Sequence, residues 1–172
     1  MSLTLILIIL TAIISIQAFS NDDMQRKLIF HPVSINEFGQ YYRFFSHGLI
    51  HSGWDHLLIN MFVLYQFGQF IESVFLSVFG VITGKIIYIL FYFSAIAVAS
   101  IPSFFKHRED SWYAALGASG ATSALVFIYI LFEPWGWFLF PPLPALLFGV
   151  AYLWYSSYMG KRGSDNIGHD AH

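Results

Sequence analysis

Four polar groupings interrupt an otherwise apolar chain. One is Ser119, set in Gly117-Ala118-Ser119-Gly120-Ala121. A second is the pair His56 and Asn60, and a third is His47 with His51 just before them. The fourth is the terminal His169-Asp170-Ala171-His172. A serine hydroxyl is a poor nucleophile without a base, and histidine is the usual base. Attack on a carbonyl creates an oxyanion, and each pre-placed hydrogen-bond donor stabilises it by about 2.7–4 kcal/mol. Residues four apart on a helix lie about 40° apart around the axis. His56 and Asn60 can therefore enter one cavity and serve as donors, beside the backbone N–H of Ser119.

Each grouping also has a plainer reading. Gly120 and Ala124 could form a small-residue packing face, and a helical serine often bonds back to its own helix. His56 and Asn60 could be hydrogen-bonded core residues. His47 and His51 form a His-x-x-x-His pair that could hold a metal on one helix face. No second such box follows. The combination of a serine opening one span, a His/Asn pair on another and a late histidine favours nucleophilic chemistry. His169, three residues before His172, is a rival base.

The elements that must carry these residues are membrane spans. Hydrophobic residues make up 57% of the 172 residues and charged ones only 10%, against about 25% charged in a soluble domain. So few charges cannot cover a water-facing surface, but lipid needs no such cover. A net charge of −2 gives no sign of a nucleic-acid partner. The absence of cysteine excludes a thiolate nucleophile, a disulfide framework and cysteine-based metal sites. Apolar runs predict spans over about 3–19, 54–72, 81–101, 113–132 and 142–158, with a sixth starting near 168. The first run could instead be a leader cleaved after Ser20, although it lacks a basic start. Residues 73–80 are apolar but too short to span again, and Pro102 is expected to end the third span. Trp112, Trp135 and Trp137 fall where aromatic side chains favour the membrane–water interface.

These motifs, in this order and on these spans, resemble the rhomboid family of intramembrane serine proteases. Tyr42-Arg43 looks like the family's aromatic-Arg element in the first loop, and His56-Leu-Leu-Ile-Asn60 like its His-x-x-x-Asn motif. Glu72 falls at a buried family glutamate, Gly117-Ala118-Ser119-Gly120 matches Gly-x-Ser-Gly, and Ala171-His172 looks like the Ala-His opening the last span. The resemblance implies an all-α polytopic membrane protein, a six-helix bundle whose sixth span is cut off near its start. It implies a Ser119–His172 dyad with an oxyanion hole from His56, Asn60 and Ser119. Gly117, Gly120, His51, Arg43 and Glu72 would support the site, Arg43 and Glu72 by bracing the first loop. No metal or cofactor would be needed. Substrates would be single-span membrane proteins in the lipid bilayer, and the location a bacterial inner membrane. Two positions depart from the pattern: Tyr42 replaces a frequent tryptophan, and Ser123 stands where many members carry an aromatic ring. A non-catalytic relative that binds membrane helices would have the same fold.

Alternating spans put seven basic residues, among them Arg26, Lys27, Arg43, Lys106 and Arg108, on one side and Lys85 alone on the other. The positive-inside rule makes the crowded side cytoplasmic, whereas the resemblance implies that it faces outward.

Overall fold

The computed structural model describes residues 2–137 and 142–151. Among these residues the architecture is all-helical, and the β-type pairing is limited to two isolated bridges, Phe30 with Ala115 and Trp137 with Pro144.

Helix α1 (Leu3–Phe19) buries Thr4, Leu7, Thr11, Ser15 and Ala18. Their spacing of three and four puts them on one stripe, and three of the five carry hydroxyls. The other sides are aliphatic except for Gln17 and Phe19 near the end of the helix. Three short helices follow: α2 (Asp22–Leu28), α3 (Pro32–Phe38) and α4 (Arg43–Ser46), then a tight turn over His47–Leu49. Local sequence explains them. Asn21 caps α2, Asp22 and Asp23 sit in its first turn, and Arg26 and Lys27 in its last, each matched to the helix dipole. Helix α3 starts with His31 as cap and Pro32 in its first turn, and stops at Gly39 with φ 66°.

A continuous helix then runs from Trp54 to Phe79. It comprises α5 (Trp54–Val63), a π-helical stretch over Leu64–Gly68, and α6 (Gln69–Phe79). Helix α7 (Val81–His107) packs back against α6, and α8 (Ser119–Phe132) packs on α7 and on the π stretch. Residues 145–151 are again helical. The helices over Trp54–Phe79 and Val81–His107 have 26 and 27 residues. At 1.5 Å per residue each is about 40 Å long, enough to cross a hydrocarbon core of about 30 Å. Only 28% and 22% of their apolar windows are buried. A core helix of a soluble protein would be mostly covered. Here Leu58, Ile59, Ile86, Leu90 and Val98 stay exposed, as a lipid-facing surface requires.

Helix ends differ from the sequence expectation at three places. The second span continues past Glu72 because nothing breaks it before Gly80, where φ is 78°. The third continues through Pro102 to His107. A proline removes one ladder bond, here at the Val98 carbonyl, on an exposed side of the helix. The fourth begins at Ser119 rather than 113, because Gly117 adopts φ 120° and the preceding residues pair with the first loop. The start of a sixth span near 168 lies outside the described residues, as do His169 and His172.

Glu72 does not brace the first loop. It is buried, and its carboxylate accepts from the Leu3 N–H at 2.8 Å, the Thr4 N–H at 2.9 Å and the Thr4 hydroxyl at 2.7 Å. These are free amides at the positive end of α1, and the first loop leaves from the other end. Thr4 Oγ1 also lies 2.9 Å from the Tyr88 hydroxyl, so α1, α6 and α7 meet at one buried polar knot. Gly68 makes room for it, since a Cβ there would sit 2.7 Å from the Tyr88 hydroxyl oxygen and 2.9 Å from Thr4 Cγ2.

Candidate active site

Ser119 is the first residue of α8 and is half-buried. The turn before it is held from the first-loop side at successive amides. Phe30 and Ala115 exchange two backbone bonds, at 2.9 and 3.1 Å. The Gly117 N–H donates to the His47 carbonyl at 2.9 Å, and the Ala118 N–H donates to His51 Nε2 at 3.3 Å. The Ala118 carbonyl then accepts from the Ala121 and Thr122 amides and starts the helix. The Ser119 amide and hydroxyl donate no hydrogen bond among the described residues. A helix N-terminus with a free N–H and a serine side chain favours negative charge beside it.

Gly117 is required twice. Its φ of 120° excludes side chains, and a Cβ there would lie 2.6 Å from His56 Cε1 and 2.7 Å from His56 Nε2. The imidazole edge of His56 is thus packed against the turn that precedes Ser119. Its other nitrogen, Nδ1, lies 3.1 Å from Ser52 Oγ. If that hydroxyl donates, the ring proton sits on Nε2, the nitrogen facing the turn. Asn60 is buried one turn further on. Its Nδ2 donates to the His56 carbonyl at 2.9 Å and its Oδ1 accepts from Thr122 Oγ1 at 3.1 Å, so it bridges α5 to α8. The other amide proton of Asn60 has no acceptor among the described residues.

His51 is fully buried, and its ring meets that of His56 edge to face at 4.9 Å between centroids. Its Nδ1 lies 2.9 Å from Ser15 Oγ. His47 Nε2 lies 2.8 Å from Ser100 Oγ on α7. The two rings therefore face different partners and do not converge as a metal-binding box. Beside the Ser119 turn is a mainly apolar crevice of about 20 Å³, lined by Phe30, Ile96 and Ala99 together with His47, Ser100 and Ser119. Gly120 lies against Ala99 of α7. Arg43 is buried in the first loop and donates to the Gln40 side chain and to the carbonyls of Arg26 and Ile29 at 2.6–3.0 Å.

Sequence reasoning did not single out Ser15, Ser52, Ser100 or Thr122, which orient the histidines and Asn60. Two had a spacing signal: Ser52 precedes His56 by four residues, and Thr122 follows Ser119 by three. Ser15 and Ser100 partner residues far along the chain.

The helices and the serine turn define a polytopic membrane protein with a polar site recessed among its spans. A family model described as "Rhomboid domain" matches residues 38–172, and this chain belongs to the rhomboid family. It is 27% identical over 154 residues to the RHOMBOID-like protein 12, mitochondrial, of Arabidopsis thaliana, covering 81% of this chain. The chain spans 45% of that relative's own length. The relative is mitochondrial by name, so the comparison gives no support to a bacterial inner membrane. The family and the apolar helices establish a membrane protein.

Proposed function

We propose that this protein is an intramembrane serine endopeptidase that cleaves single-span membrane proteins. Ser119 is the nucleophile, and His172, assigned from the family's Ala-His, is its base. The observation that carries this reading is the Ser119 turn: a hydroxyl and an N–H with no acceptor among the described residues, at the head of a span, with the His56 ring edge packed against the preceding Gly117. The Ser119 N–H, His56 Nε2 and the remaining Asn60 amide proton form the oxyanion hole. A hydroxyl that donates to no described residue suits attack once a base is brought to it.

The test is cleavage of a model single-span substrate in liposomes by the full-length protein, with fluorophosphonate labelling in parallel. Ser119→Ala abolishes both. His172→Ala abolishes cleavage, and Asn60→Ala lowers turnover by about 10²–10³, the loss expected for one oxyanion donor. If folded wild-type protein neither labels nor cleaves, it is instead a non-catalytic member that binds membrane helices.

A further inference from the structure

Ser15 lies on α1, in no motif, and is fully buried. Its hydroxyl oxygen is 3.0 Å from the Leu49 carbonyl and 2.9 Å from His51 Nδ1. The two ends of this string of contacts have fixed polarity. A carbonyl only accepts, so the Ser15 proton goes to Leu49. The Ala118 N–H only donates, so His51 Nε2 must offer a lone pair. One pattern satisfies every group: Ala118 N–H to Nε2, Nδ1–H to Ser15 Oγ, and Ser15 O–H to the Leu49 carbonyl. His51 is then neutral, with its proton on Nδ1.

We propose that Ser15 is a positioning residue for the Ser119 turn, acting through the tautomer of His51. It rests on Ser119 being the nucleophile. Without the Ser15 acceptor, only the long 3.3 Å contact from the Ala118 N–H opposes the Nε2–H tautomer, which would set a second donor against that N–H. The turn would swing away from His51, and the Ser119 hydroxyl and amide would swing with it. Gly117 would stay tied to the His47 carbonyl, so the change is a misalignment at the serine rather than a loss of fold. Misplacement by about 1 Å can cost up to about 10²-fold in rate.

The experiment uses full-length protein in detergent with ¹⁵N-labelled histidine, the His51 signal being identified by its loss in His51→Gln. Nitrogen shifts read the tautomer, while kcat, KM and the fluorophosphonate labelling rate read the site. Wild type carries the Nδ1–H form. Ser15→Ala shifts His51 toward Nε2–H and lowers kcat and labelling about 10- to 100-fold, with KM little changed. Ser15→Thr, which keeps the hydroxyl, restores both. Ser15→Cys fills the same space with a poor acceptor and behaves like Ser15→Ala. Wild-type tautomer and kcat in Ser15→Ala or Ser15→Cys would overturn the proposal and leave Ser15 a packing residue. If wild type neither labels nor cleaves, the protease reading fails, while the tautomer shift still shows whether Ser15 sets His51.

Discussion

His51 and His47 are buried at 0% and 8% exposure, and their ring contacts are to hydroxyls and amides rather than carboxylates. Burial, reinforced by the neighbouring His56, holds the His51 pKa down to about 3, and burial holds His47 down to about 4. An unfolded chain takes up protons on both below about pH 6.5. Between about pH 6.5 and 4 the unfolded state thus binds more protons, so stability falls as pH falls through that window and is level above it. Each buried histidine accounts for about 2 kcal/mol at pH 5. The thermal midpoint of the protein in detergent should drop between pH 7 and pH 5, and His51→Gln should flatten that drop. An unaltered slope would mean that His51 takes a proton without unfolding. At this scale the histidines, Asn60 and Ser119 were legible because polar groups are costly among apolar residues. Ser15 and Thr4 were not, since a hydroxyl in an apolar helix can bond its own backbone and gives no hint of a distant partner. Glu72 was legible as a buried carboxyl group, but its partners are two main-chain amides and the Thr4 hydroxyl, far along the chain, and nothing in the sequence pairs them with it.

Among the elements, the link between α7 and α8 matters most. Residues 113–118 read as the start of a span by hydropathy, yet they are non-helical and tied to Phe30, His47 and His51. The Gly117 backbone at φ 120° turns this segment into α8. Gly117→Ala should cost about 1–3 kcal/mol in backbone strain alone, and its methyl must displace the His56 ring. The expected result is a lower thermal midpoint together with loss of Ser119 labelling. Wild-type labelling in this variant would show that His56 need not lie against the turn. Hydropathy placed the long helices but not their ends. Pro102 costs only one backbone bond, and the α6–α7 corner depends on Gly80, which no change in apolarity marks. The π-helical stretch likewise leaves no trace in composition.

For the molecule as a whole, the Phe30–Ala115 bridge puts the first loop and the α7–α8 link at the same face of the bundle, while Glu133 stands at the far end of α8 from Ser119. The protein has no native cysteine, so single cysteines give an unobstructed readout. Asp23→Cys and Glu109→Cys should react with an impermeant reagent from one side of the membrane, and Glu133→Cys from the other. Opposite labelling of Asp23→Cys and Glu109→Cys would be incompatible with the bridge. Which side is cytoplasmic was not legible from the chain, because its basic residues and its family resemblance point opposite ways. The grip of Glu72 on Leu3 and Thr4 also bears on handling of the protein. Those two amides are free only because α1 begins there, with Ser2 as its cap. An affinity tag whose own sequence prolonged α1 by a turn would supply carbonyls to both amides and evict the carboxylate into apolar surroundings. Fusion partners at this end should therefore be joined through a proline- or glycine-containing spacer that keeps the first turn of α1 open.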